Sequence, residues 1–192
     1  MAEPGTLHML IEKQINVPDS LAPGYMSAPG IRDFYARTSA LMQGRHPARF
    51  ADLDLMSMHR LAPDVMIIDV DPATCRKLLR FVGTRIVDVF GQETTGMYLD
   101  QIDIGPFRSQ QLAAFNMAVA AKRPQWTRVN ALLANDHTPL HRALGGMTYE
   151  RLVVPFTDKS GQVTHLAAMT ACTETANADN RFEHREVDLG LN

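Results

Sequence analysis

The stretch LLRFVGTRIVDVFGQETTGMYLDQI, residues 78–102, decides the fold. Its first half is crowded with β-branched and aromatic residues. It reads either as one long strand or as a strand that gives way to a helix at Gly83-Thr84. A single strand over 76–90 would alternate between two faces. This one does not, because Leu78 and Leu79 are adjacent apolar residues, as are Phe81 and Val82. After Gly83 the spacing changes. Ile86, Val89 and Phe90 fall at i, i+3 and i+4, Thr84 is placed as an N-cap, and Gly91 follows the last periodic residue as a helix stop does. The reading is a strand to Val82, one or two turns of helix, the polar turn GQETTG, and a short helical piece in MYLDQI.

Upstream, DVMIIDVDP (64–72) is a short apolar run closed by Asp71-Pro72, a buried strand and its turn, and CRKLLRFV (75–82) pairs with it. PGIRDFYARTSALMQGRHP (29–47) carries Ile31, Phe34, Tyr35, Thr38, Leu41 and Met42 at helical spacing, with Gly44 just past them. LDLMSMHRL (53–61) reads as a short helix capped by Asp52 or Asp54 and stopped before Pro63. Residues 1–28 hold Pro4, Pro18 and Pro23 with Gly5 and Gly24, which predicts an extended arm with no stable element of its own.

Downstream, GPFRSQQLAAFNMAVAAKRP (105–124) is the clearest helix. Leu112, Phe115 and Val119 form its stripe, Lys122 and Arg123 suit its last turn, and Pro124 ends it. Three strands follow, 125–134, 147–156 and 163–174, the last two joined by the turn TDKSGQ. From Thr175 the chain is polar and aperiodic, so a flexible tail is expected over 175–192. The economical packing is an α+β domain: a five-stranded antiparallel sheet with helices grouped on one face and an N-terminal helical extension at 29–62.

The totals exclude several classes. The chain of 192 residues has room for one domain with a sizeable core, and its 45% hydrophobic content is that of an ordinary globular protein. A formal net charge of −2, with Lys and Arg scattered, argues against a nucleic-acid partner. No apolar run approaches a membrane span, and MAEPGTLHMLIEKQ has no apolar core of the secretory kind. Cys75 and Cys172 make no disulfide framework, so a cytoplasmic chain with two reduced, buried thiols is expected. Eleven methionines fit a pliable core or pocket.

The order of elements resembles the PAS domain, most closely a bacterial PAS-like family of small single-domain proteins. DVMIIDVDP resembles the first PAS strand. LLRFVGTRIVDVFG resembles the second strand running into the first short helix and ending on Gly91. TTGMYLDQI resembles the next glycine and short helix, and ERLVVPFTDKSGQVTHLAAMT the final hairpin with Pro155 and Gly161. The resemblance covers about residues 52–174 and includes the whole of the PAS-like core at 63–174. One departure matters: the general PAS pattern often has an asparagine after the second strand, and here that position is Gly83. The resemblance implies a sensory or docking module whose sheet and helices enclose an apolar pocket. Haem, flavin and small organic molecules are ligands in such folds, some members bind nothing, and output commonly passes to a partner such as a histidine kinase.

Candidate chemistry is sparse. No GxSxG, HExxH or phosphate-cradling glycine loop is present, so no catalytic residue is assigned and no enzyme is expected. Light-sensing flavin chemistry in this fold needs a cysteine on a particular helix, and neither Cys75 nor Cys172 falls on one. His137 and His141 are four apart but have no third ligand nearby and Pro139 between them; His165 lies on the last strand. No metal site is assigned. Asp52, Asp54, Asp69 and Asp71 are explained by caps and strand-end turns. The ligand-pocket candidates are Phe107, Phe115 and Trp126, with Tyr149 and Met169 beside them. Arg128 and Arg151 are expected on the outer sheet face; an inward-facing arginine would need an anion. The apolar stripe of the 29–43 helix predicts either packing on its own sheet or a homodimer through that helix. The expected function is a non-enzymatic sensory module for a small molecule, a signalling partner, or both, its cofactor unknown. The alternatives are a small-molecule enzyme of a cone-shaped α+β fold, marked by an inward His–Asp pair in a pocket, and a ligand-free docking scaffold.

Overall fold

The computed structural model describes residues 8–16, 26–42, 47–102, 107–132 and 147–175. The predicted tail beyond Thr175 and the loop that holds His137 and His141 lie outside these residues, as do residues 1–7 and 17–25 of the predicted arm.

The element order is strand β1 (His8–Asn16), helix α1 (Pro29–Met42), strands β2 (Ala48–Arg49), β3 (Val65–Val70) and β4 (Lys77–Val82), helices α2 (Thr84–Phe90) and α3 (Phe107–Ala121), then strands β5 (Gln125–Leu132), β6 (Met147–Thr157) and β7 (Val163–Thr175). Single 3-10 turns at Phe50–Asp52, Met56–Met58, Ala62–Asp64 and Leu99–Gln101 connect them. The helix predicted over 53–61 is one such turn at Met56–Met58, braced by Asp54 Oδ1, which accepts the Met56 N–H at 2.9 Å.

Residues 78–102 fold as their glycines imply. β4 ends at Val82 and α2 begins at Thr84. The cap is Gly83 and not Thr84: the Gly83 carbonyl accepts the N–H groups of Ile86 and Val87, and no side chain caps the helix. Gly83 has φ −64° and ψ 146°, open to any residue, so its role is steric. A Cβ there would stand 2.3 Å from the carbonyl oxygens of both Ala62 and Pro63. The 3-10 turn Ala62–Asp64 therefore lies directly against Gly83, whose N–H donates to the Val65 carbonyl at 2.8 Å. The departure from the PAS asparagine is matched by backbone that occupies the side chain's space. Gly91 ends α2 in the left-handed region, φ +69°, with its N–H on the Val87 carbonyl at 2.7 Å.

Among the described residues the sheet has seven strands, in the order β1-β5-β6-β7-β3-β4, with the two-residue β2 running parallel to the end of β6. The pairs along that order are antiparallel. Five strands were expected. The additional edge strand, β1, pairs with β5 inside the segment read as an arm without structure. Pro4, Pro18 and Pro23, which gave that reading, all fall outside its nine residues.

Helices cover both faces of the sheet, not one. Val65, Ile67, Trp126, Leu152, Val154, Phe156, Ala167 and Met169 pack under Ile31, Phe34, Tyr35 and Met42 of α1. Met66, Ile68, Leu79, Val153, Leu166 and Ala168 pack under Ile86 of α2, Leu99, and Phe115 and Ala118 of α3. The physical reason lies in the runs VMII, LVV and LAAM. Neighbouring strand residues point to opposite faces, so continuous apolar runs need cover on both. The stripe of α1 is used on its own sheet, and a homodimer through this helix loses the apolar surface from which it was expected.

A buried carboxylate fixes α1 in place. Glu150, in mid-β6, is fully buried on the α1 face and accepts the backbone N–H groups of Ser27 (2.9 Å) and Ala28 (3.2 Å) and the Ser27 hydroxyl. A negative charge at the positive end of a helix is stabilising, and here it also satisfies N–H groups that have no partner within the helix. Arg128 Nη1 stands 3.9 Å from the same carboxylate. Among the described residues no helix is long and apolar enough to cross a membrane.

Gly83→Ala should destabilise the protein by about 1–3 kcal/mol, the usual cost of forcing extra volume into a packed site, and Gly83→Asn by more. Urea denaturation measures both. A change of under about 0.5 kcal/mol would show that the turn at 62–64 is free to move aside.

Candidate functional site

Of the five residues predicted to line a pocket, the four whose side chains are described fall into two separate pairs. Trp126 and Met169 face α1. Phe115, on α3, and Tyr149, on β6, lie on the other face, both beside the Arg151 guanidinium. The sheet stands between the two pairs. The Phe107 side chain is outside the described residues.

Among the described residues, the space that a PAS-like fold would offer between sheet and α2–α3 is nearly filled. Ile68, Phe115 and Leu166 occupy it. A void of about 20 Å³ remains, lined by Met66, Leu79, Ile86, Leu99 and Ile102 with the polar Gln92, Thr94 and Gln111. That is room for about one water, not for an organic cofactor.

A larger cavity, about 300 Å³, opens where β7 outruns β3. β3 begins at Val65, paired with Met169, so Thr170, Ala171 and Cys172 have no β3 strand beside them. Those three residues and Met169 form one wall. Ala28, Pro29 and Gly30 at the start of α1 form another, and Leu61 and Asp64 with Arg85 and Ile86 of α2 close the third side. Arg85 Nη1 is paired with Asp64 Oδ2 at 2.5 Å. Of the predicted pocket residues, Met169 lines this space.

Sequence reasoning placed Arg151 on an outer face that the central strands do not have. Arg151 is 4% exposed. It lies on the α3 face, in a row across the sheet with its cross-strand neighbours Thr127 and Thr170. Its Nε donates to Thr170 Oγ1 at 3.2 Å, and its guanidinium carbon stands 5.1 Å from the Tyr149 ring centre and 5.7 Å from that of Phe115. Arg128 points the other way, toward Glu150. The missed signal was the apolar run LVVPF directly after Arg151, which already implied a strand covered on both sides.

A His–Asp pair exists, but not in a pocket. His165 Nε2 is 3.5 Å from Asp69 Oδ1, its Nδ1 is 2.9 Å from Thr164 Oγ1, and its ring stacks on Phe50 at 3.7 Å. Asp69 is also bound by Arg80 at 2.8 Å. Burial lowers the His165 pKa from its ordinary value; Asp69 opposes that shift and Arg80 adds to it. A neutral imidazole pressed under a phenyl ring is a packing element here, and neither residue lines the two cavities above. Cys75 lies in the β3–β4 turn and Cys172 near the end of β7, neither on a helix. Both are exposed, where buried thiols were expected, because the turn and the open strand edge leave them uncovered. Among the described residues no group of three or more His, Cys, Asp and Glu is placed to hold a metal.

No family model matches the chain. No curated protein matches it. Solved structures do. One, from work on a flavin analogue in a light-oxygen-voltage domain, is 7% identical over 62% of this chain and 84% of that one, with a TM-score of 0.44. Another, an RNA-binding light-oxygen-voltage receptor, is 16% identical over 88% of this chain, which spans 39% of the receptor chain, with a TM-score of 0.43. Light-oxygen-voltage domains are a PAS subfamily. At these TM-scores the likeness carries no weight for function.

Helix α3, whose Phe115 lies beside Arg151, is tied to the sheet by a buried lysine. Lys77 Nζ donates to the Cys75 carbonyl at 2.7 Å and to Asn116 Oδ1. Burial pulls the Lys77 pKa below its ordinary 10.5. The unfolded chain then holds the Lys77 proton more tightly than the folded one, so the burial cost is present at neutral pH and fades as pH rises toward 10.5. Wild type should therefore gain stability relative to Lys77→Met between pH 7 and 10.5 in chemical denaturation. A difference that stays flat, or moves the other way, would contradict the burial of a charged amine.

Proposed function

We propose that the chain is a PAS-like sensory or regulatory module, not an enzyme, that binds a small molecule at the open edge of β7. The observation that carries this reading is the composition of the cavity walls. The start of α1, the α2 helix and the strand β7 all contribute, so the cavity touches both helical layers and the sheet between them. Its volume of about 300 Å³ falls at the lower end of the range for small-molecule sites. An occupant that fits one arrangement of these three walls better than another shifts the population toward it. The sheet then relays the state of the site from one helical layer to the other. A signalling protein such as a histidine kinase, reading the outer side of α1, is the output consistent with this geometry. The enzyme reading is disfavoured because the His165–Asp69 pair lies outside this cavity.

The small size of the void under α2 and α3 among the described residues, about 20 Å³, favours the other reading, a docking scaffold without a ligand, and one substitution separates the two. Ala171→Met adds bulk to the cavity wall from a partly buried position. In a thermal-shift screen of small metabolites, a true ligand at a hundredfold excess over its Kd should raise the wild-type Tm by about 5–10 °C. Ala171→Met should keep its own Tm within a few degrees of wild type and lose that rise. A rise that survives the filled cavity places the ligand elsewhere, and a screen with no rise at all leaves the scaffold.

A further inference from the structure

We infer that the cavity at the open edge of β7 takes a small acid with an apolar body, its carboxylate or phosphate held by Arg151. This inference rests on the reading that the cavity binds a small molecule. The first argument is an imbalance of charge. Arg151 is buried, and a guanidinium does not lose its proton in proteins. A buried charge is ordinarily paired. Even exposed arginines of the fold stand on acids, Arg76 on Asp100, Arg80 on Asp69 and Arg85 on Asp64, and the half-buried Arg128 faces Glu150. Arg151 has no acid within ion-pair distance among the described residues. Its neighbour in the chain, Glu150, points through the other face of the sheet to Ser27 and Ala28.

The second argument is position. Thr170 accepts the Arg151 Nε–H and also lines the cavity. The guanidinium thus stands one hydrogen bond behind the cavity wall.

The third argument is an unsatisfied hydroxyl in the same row. The Thr127 hydroxyl, across from Arg151, is buried without a hydrogen-bond partner among the described residues. It lies beside a buried guanidinium that has no acid, and a ligand oxygen that reaches this row finds both. The rest of the lining sets the ligand's other half. Ala28, Leu61, Ile86, Met169 and Ala171 offer no polar side chain, so the body of the acid is apolar.

Isothermal calorimetry on the full chain tests this with three probes of one shape: 3-phenylpropionate, its methyl ester, and 3-phenylpropyl phosphate. At least one of the two anions should bind wild type about tenfold or more tightly than the ester, and which one does so identifies the acid group. Arg151→Met should bind anion and ester alike, whereas Arg85→Met, at the cavity mouth, should keep the preference. Equal binding of anions and ester by wild type overturns the role of Arg151 and leaves the cavity as a neutral site. Loss of the preference in Arg85→Met assigns the anion to the mouth and overturns the inference as well. No binding of any probe up to about 10 mM overturns both the acid and the cavity reading. If Arg151→Met does not fold, as circular dichroism will show, the wild-type comparison and Arg85→Met still decide.

Discussion

Burial of the central strands on both faces is the constraint from which the rest of the structure follows. β3, β6 and β7 carry apolar residues at consecutive positions, and each strand sends them alternately up and down. One helical layer cannot cover them. α2 and α3 close one side, and the other would stand open without α1. The N-terminal helix is thus a structural half of the domain and not an appendage. Glu150 holds it there. A fully buried carboxylate is costly unless its oxygens are met, and the N–H groups of Ser27 and Ala28 meet them at the helix start. Interchanging Glu150 and Arg151 along β6 would send each charge to the wrong face.

The two-sided sheet also explains where space is left. Between sheet and α3, among the described residues, the large side chains Phe115, Ile68 and Leu166 leave a void of about 20 Å³. At the end where β3 stops and β7 continues, the sheet loses a strand and the two helical layers do not quite meet. The cavity of about 300 Å³ is that mismatch. It differs from the central pocket that the PAS resemblance implies, and it borders both layers.

Much of the fold was legible because it is punctuated locally. Gly83 and Gly91 mark the ends of α2, and a strand-to-helix change of period lies between them. The order of β3, β4, α2, α3, β5, β6 and β7 followed from such signals. What escaped depends on partners remote in sequence. β1 became a strand because the edge of β5 offered a ladder, and nothing in HMLIEKQIN alone announces that. The candidate pocket failed for a similar reason. Parity along a strand tells which residues share a face, but only register tells which face is which. Trp126 lies across from Leu152, and that pairing puts it under α1, away from Phe115. The same ignorance of register put Arg151 outside. The run LVVPF implied that it is covered, but its neighbours Thr127 and Thr170 became visible only once β5 and β7 were set on either side of it.

The central claim is that an occupant of the β7-edge cavity is felt in both helical layers. Amide hydrogen exchange on the full chain, with and without a saturating bound acid, measures this directly. Slower exchange is predicted at three separated places together: at Gly30 and the residues just after it in α1, at Arg85 and Ile86 in α2, and at Thr170 to Cys172 in β7. Slowing confined to α3 and β4 would put the ligand under α3 and contradict the account, as would slowing in one helical layer alone.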